Sequence, residues 1–155
     1  FEPRAEELAK KYALAPYTMF IGSGALWGET ILFSMCILEE MQWKRTRYIT
    51  SADFFHGTLE LVEPGVPVFL FMGEDENRKL DERVRAFLTR GVTGDTDINV
   101  IDTAEFAIPG LDDEFRVIVS PWILTVLVTD RLARYYETVT KHNLKYRRYY
   151  HQFDY

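Results

Sequence analysis

Apolar runs alternate along the chain with segments of helical spacing. Residues 17–22 (Tyr-Thr-Met-Phe-Ile-Gly) and 67–72 (Pro-Val-Phe-Leu-Phe-Met) are short, almost continuously apolar and bounded by proline or glycine. That is the pattern of strands covered on both faces. Shorter runs at 47–51, 97–101 and 105–108 predict three more strands, the last ending at Pro109-Gly110. Helical spacing fills the intervals. A helix over 2–13 stops short of Pro16, since residues before proline avoid the helical region. A second spans 26–42. A third, 74–89, sets Leu80, Val84, Phe87 and Leu88 on one face, with acids at its start that suit the helix dipole. A long closing helix covers 115–140, with Pro121 placed to kink it. Five strands alternating with helices predict an α/β fold, a three-layer α-β-α sandwich around a five-stranded parallel sheet. Ligands of such sheets bind at the carboxyl ends of the strands, where Ser23, the 50–57 loop and Gly73 are expected.

Composition narrows the function. With 155 residues, 47% hydrophobic and 15% aromatic, the chain forms a single domain with a real core and is not a disordered segment. Eighteen Lys and Arg against 24 Asp and Glu leave −6, which argues against nucleic acid or an anionic membrane as the main partner. Cys36 is the only cysteine, so no intrachain disulfide forms and a reducing, cytoplasmic setting is expected. The longest apolar stretch, 117–128, contains Ser120, Pro121 and Thr125 and falls short of the ~20 residues that cross a bilayer. No secretory leader pattern is visible. Cys36, His56, His142 and His151 show no ligand spacing, and no phosphate-loop, dinucleotide or Ser–His–Asp pattern is present. Neither a metal nor an organic cofactor is expected.

Four places carry candidate chemistry. Glu40 lies near the end of the second helix on a stripe with Glu29, Phe33 and Cys36, while Glu39 points away and reads as the solvated member of the pair. On composition alone, a carboxylate at a helix end is a solvated group. His56 follows sixteen positions later, between Phe54-Phe55 and Gly57 and before a short helix at 58–62. A lone histidine is most often a surface polar residue. An apolar-walled loop beside a helix N-terminus would favour its neutral form. A carboxylate base with an imidazole acid is what a proton shift between neighbouring sugar carbons requires. Gly22-Ser23-Gly24 reads first as a tight strand-to-helix turn and only weakly as a phosphate site through Ser23. The tail, 141–155, interleaves basic and aromatic residues. Stacking on single-stranded nucleic acid is opposed by the acidic remainder, and a segment docked by its own tyrosines is the simpler reading.

The order Gly22-Ser23-Gly24, Glu39-Glu40, Phe55-His56-Gly57-Thr58 and Arg147-Arg148-Tyr149-Tyr150 resembles the second half of the double-SIS (sugar isomerase) proteins, across residues 16–148. It is similar to the isomerase half of glucosamine-6-phosphate synthase and more so to deglycases of phosphorylated fructosyl-amino acids. Phe55-His56-Gly57-Thr58 stands where the synthases have Lys-His-Gly-Pro, with Thr58 replacing the proline. The resemblance implies a flavodoxin-like SIS fold, with residues 1–155 as the C-terminal SIS domain of a longer chain that also carries an N-terminal SIS domain. It implies Glu40 as general base, and His56 as the residue that opens the sugar ring in the neighbouring subunit of a homodimer with shared sites. Arg147 or Arg148 would be presented to the sugar by the tail. The Ser-x-Ser-Gly phosphate loop of such domains is replaced by Thr50-Ser51-Ala52-Asp53-Phe54-Phe55-His56, so the phosphate cradle is expected in the N-terminal half. The implied activity is cleavage of a 6-phosphofructosyl-amino acid to glucose 6-phosphate and amino acid, without a cofactor. Sugar-phosphate isomerisation, the glucosamine-forming synthase reaction, or a sugar-phosphate-sensing module without chemistry are the alternatives.

Overall fold

Strands β1 (Thr18–Gly22) and β3 (Val68–Met72) are buried at every position, because each has a strand on both edges and helices on both faces. The computed structural model describes residues 1–154 apart from Val92, Thr93 and Asp95; Tyr155, the last residue of the expected tail, lies outside the described residues. With β2 (Thr46–Ile49) and β4 (Ile98–Asp102), the strands form a fully parallel sheet in the order β2-β1-β3-β4. Register sets Phe20 beside Phe69, and Met19 beside Val68. Phe20, Phe69, Phe71 and Ile101 therefore face one helical layer, and Met19, Ile21, Leu70 and Met72 the other.

The first layer holds α1 (Glu2–Tyr12), the helix after β1, and the closing helix. Phe20 stacks on Phe69 at 5.2 Å and meets Phe33 edge-on at 5.5 Å, so aromatic area carries this interface. The helix after β1 begins as α2 (Trp27–Ile31) and widens into a π-helical segment, Leu32–Met41. The closing helix runs as α5 (Arg116–Leu124), a second π segment (Thr125–Leu132) and α6 (Ala133–Thr140). It continues through Pro121. The Ser120 hydroxyl donates to the Val117 carbonyl at 3.0 Å, the acceptor that Pro121 has no N–H to reach. The opposite layer holds α3 (Ser51–Phe54) and α4 (Arg78–Leu88), packed through Phe54, Val84 and Leu88.

Two expectations are corrected. The sheet has four strands among the described residues, not five. At 105–108 no strand forms, because Thr103–Glu105 makes a 3₁₀ turn capped by the Asp102 carboxylate, which accepts the Ala104 N–H at 3.0 Å. Phe106 then turns onto Phe1, ring centroids 6.0 Å apart. Likewise α4 begins at Arg78 and not at residue 74, since the early acids are engaged elsewhere. Glu74 pairs with Arg116 at 2.5 Å, and Asp75 accepts the Asn77 N–H at 2.7 Å.

One carboxyl group ties the carboxyl ends of the strands together. Ser23 Oγ accepts the Ser51 N–H at 2.7 Å, and the Ser51 hydroxyl donates to Asp81 at 2.5 Å. Gly73 N–H reaches the other Asp81 oxygen at 3.4 Å. Burial pushes the Asp81 carboxyl up to about 6 even though these hydrogen bonds pull it down. A carboxyl that holds its proton more tightly folded than unfolded (about 3.9) contributes stability that is full below about pH 4 and lost as pH rises through about 6. In denaturant melts, wild type should therefore lose on the order of 2 kcal/mol relative to Asp81→Asn between pH 4 and pH 7. Parallel pH profiles for the two proteins would show that this carboxyl does not titrate in the folded state as described.

Candidate active site

The π-helical segment ends in a turn that brings the expected base to the C-terminal tail. Gln42 N–H bonds to Ile37 O at 3.1 Å, the i→i−5 spacing of a widened turn. Trp43 follows with φ of +54°, a left-handed conformation that costs a bulky residue about 1–2 kcal/mol. Its indole is held on two sides: the His142 ring meets it at 4.3 Å, and the Arg148 guanidinium lies over it at 4.3 Å. Buried Gln42 fastens the same stretch, donating to His142 O at 2.5 Å and accepting from the Thr140 hydroxyl at 2.7 Å. The tail so placed sets Arg147 Nε 2.8 Å from Glu40 Oε1, with side chains only 18% and 28% exposed. Arg147 also donates to Leu144 O and Tyr146 O, which fixes its direction. The second Glu40 oxygen makes no hydrogen bond among the described residues.

Glu39, Glu40, Trp43, Arg147, Arg148 and Tyr150 line a cleft of about 470 Å³. Glu39 is not the free solvated acid that ideal α-helical spacing suggests. The widened turn brings both carboxylates to this side, where Glu39 accepts the Thr46 hydroxyl. Arg147 and Arg148 both reach the cleft, one on the acid and one on the indole. Trp43, Lys44 and Arg45 complete its wall and were missed by sequence reasoning. The basic run directly after the helix end was the signal for them.

His56 stands elsewhere. It is exposed in the turn after α3, its backbone N–H bonded to Asp53 O at 2.9 Å. The two phenylalanines before it do not wall the imidazole. Phe54 is buried against Phe87, and Phe55 packs on Phe87 under the Arg83 guanidinium. The short helix expected at 58–62 is a 3₁₀ turn, Thr58–Leu61. Glu39 touches Thr46 at the amino end of β2, whereas His56 lies one short helix beyond Ile49 at its carboxyl end. Four residues of strand put about 10 Å between those ends. Glu40 and His56 are thus not brought together within one chain.

Ser23 is buried and spends its oxygen on the Ser51 N–H. The crevice beside it, about 580 Å³, is lined by Gly24, Ala25, Glu74, Asp75, Glu76 and Asn77. Here a helix N-terminus in an open α/β sheet usually meets an anion. In this chain that place is filled from within: the Asp75 carboxylate accepts the Ala25 N–H at 2.6 Å. Gly24, at φ of +56°, gives it room, as a Cβ there would come within 2.2 Å of the same oxygen.

No family model matches the chain. Fructosamine deglycase FrlB of Bacillus subtilis is 30% identical over 148 residues, covering 94% of this chain and 43% of that protein. Fructoselysine 6-phosphate deglycase of Escherichia coli is 30% identical over 153 residues, covering 97% of this chain and 42% of that one. A solved structure of a provisionally assigned phosphosugar isomerase from Bacillus subtilis superposes with a TM-score of 0.91 at 30% identity, over 99% of this chain and 46% of that one. The chain therefore spans less than half the length of the relatives it matches. Near-complete coverage at this identity, on the same fold, places it in the SIS-type phosphosugar isomerase and fructoselysine 6-phosphate deglycase family.

Proposed function

We propose that these residues form the base-bearing half of a deglycase that splits a 6-phosphofructosyl-amino acid into glucose 6-phosphate and the free amino acid. The observation that carries this reading is the Glu40 carboxylate, facing a cleft of about 470 Å³ with one oxygen held by Arg147 and the other open. In the open-chain ketoamine, Glu40 removes a proton from C1, the carbon between the amine nitrogen and the carbonyl at C2. The nitrogen lone pair conjugates with the enol that forms. Reprotonation at C2 gives the imine of glucose 6-phosphate, and water adds to C1 and releases the amine. Each step moves only protons, water and the C–N bond, so the reaction needs no redox partner. Arg147 fixes the carboxylate beside the substrate, in the manner of a positioned charge pair.

His56 serves as the ring-opening acid. Its place at the far end of β2 from Glu40 supports action in the site of a second subunit. The phosphate is held outside these residues, in line with the strand-end crevice being occupied by Asp75.

Incubating the full-length protein with 6-phosphofructosyl-amino acids separates the readings. Release of glucose 6-phosphate with free amino acid marks a deglycase, interconversion of hexose phosphates an isomerase, and binding without turnover a sensor. Glu40→Gln should lower kcat about a thousandfold while leaving substrate binding and the melting temperature close to wild type. Turnover within tenfold of wild type would remove Glu40 from the base role.

Mixing inactive Glu40→Gln and His56→Ala proteins tests the division between subunits. If the two residues meet across an interface, each mixed dimer gathers both defects in one site and leaves the other intact, so subunit exchange restores up to half the active-site capacity per mixed dimer. Verified exchange with no recovered activity would place both residues in the same subunit's site.

A further inference from the structure

The cleft beside Glu40 holds more positive charge than its own acids use. Lys44, Arg45, Arg147 and Arg148 line it against Glu39 and Glu40. Arg147 is matched by Glu40, and Glu39 is bonded to the Thr46 hydroxyl. Lys44, Arg45 and Arg148 make no ion pair with any carboxylate among the described residues. This happens in a chain of net charge −6, whose strand-end crevice is lined by Glu74, Asp75 and Glu76. Three cations without an ion pair among the described residues thus line one cavity.

Resting on the deglycase reading, we propose that this cleft is the amino-acid subsite: the amino-acid part of the ketoamine lies along Trp43 and Tyr150, and Lys44, Arg45 and Arg148 take its carboxylate. Covalent connectivity fixes where that part must go. The amine nitrogen is bonded to C1, about 1.5 Å away. C1 itself must come within about 3–3.5 Å of the Glu40 carboxylate for proton transfer. Whatever hangs from the nitrogen thus starts beside Glu40 and has to fill space continuous with it. The cleft of about 470 Å³ is that space, and its size falls within the range of small-molecule sites.

The side chains suit a carboxylate in particular. The Arg148 guanidinium carbon lies 4.3 Å from the centre of the Trp43 ring, and its N–H groups make no ion pair among the described residues, so they can give a carboxylate two hydrogen bonds. The left-handed backbone at Trp43 holds the indole in that position. Lys44 is half-buried, and burial lowers its ammonium from the ordinary lysine value. An arriving carboxylate supplies the opposite charge that Lys44 lacks. Trp43, Tyr149 and Tyr150 add apolar wall for the aliphatic stem between nitrogen and carboxylate.

The 6-phosphate is the other anion of the substrate and the competing occupant. Matched substrate pairs tell them apart. The full-length protein is assayed with ε-fructosyl-lysine 6-phosphate against the fructosyl 6-phosphate of 1,5-diaminopentane, and with α-fructosyl-alanine 6-phosphate against that of ethylamine. Within each pair only the carboxylate differs, while phosphate and sugar stay the same. Wild type should favour the carboxylated member of at least one pair by tenfold or more in kcat/KM. In Arg148→Gln and Lys44→Gln that ratio should fall toward one. The ratio does not depend on the fraction of enzyme that folds, so a poorly folding variant still reports. A ratio near one in wild type, or a ratio the variants leave unchanged while both members lose activity equally, assigns these cations to the phosphate or to neither anion and overturns the subsite alone. Failure of wild type to cleave any ketoamine overturns the deglycase reading, and the subsite with it.

Discussion

A parallel crossover must carry the chain back along the sheet before the next strand can start, and the geometry of the candidate site follows from that constraint. Strands β1 and β2 are parallel neighbours, so the helix between them runs from the carboxyl end of β1 to the amino end of β2. Residues that end this helix, Glu39 to Arg45, are delivered to one end of the sheet. Residues that follow β2, including His56, are delivered to the other. Neither side chain can shift this by rotation, because the separation is a strand length and β1 and β3 are buried on both faces. A site that used both Glu40 and His56 would have to span that strand length or draw on more than one copy of this unit.

Charge is distributed as unevenly as position. Acids dominate the chain, yet many of them are committed to the framework at the carboxyl ends of the strands. Asp81 binds the Ser51 hydroxyl, Asp102 pairs with Arg78 at 2.6 Å, Glu74 pairs with Arg116, and Asp75 caps the turn at Ala25. Arg78 hydrogen-bonds both the Gly73 carbonyl and Asp102, locking β3 to β4. These commitments leave an acidic crevice where related architectures bind anions. Three cations without an ion pair among the described residues, Lys44, Arg45 and Arg148, line the cleft around Trp43. Net charge weighs against a polyanionic partner, but it says nothing about a pocket that holds one or two negative groups.

Much of the fold was legible because doubly buried strands write themselves as unbroken apolar runs, as at 67–72, and because helix 78–88 keeps its apolar residues on one face. The missing strand at 105–108 looked right in hydrophobicity alone. What stopped it was the side chain of Asp102 turning back on Ala104, a local hydrogen bond that periodicity does not register. Early acids before Arg78 looked like a helix start for the same reason, while their partners, Arg116 and Ala25, are distant in sequence. Glu40 and Arg147 were each nameable from the chain. Their meeting was not, since 107 positions separate them and the π widening that aims Glu40 leaves no compositional trace. Lys44 and Arg45 were overlooked because a basic pair after a helix reads as ordinary C-terminal charge.

The tail that closes the cleft is secured differently from the rest. Residues 146–150 rest on the domain through one ion pair, one cation–π contact and short rings of tyrosine and histidine, with Tyr146, Tyr149 and Tyr150 largely exposed. Each such contact contributes on the order of 1 kcal/mol, far below the burial that holds β1 or Tyr136. Local opening of this segment is accordingly much easier than unfolding of the sheet. Its two attachment points are Glu40 and Trp43, a candidate base and a residue already in a strained backbone conformation. On the proposed reading, a ligand that took over Arg147 or Arg148 would loosen the strap at the place where it enters, and one that bridged both would tighten it. Access to the cleft and its occupancy would then be coupled through the same two arginines.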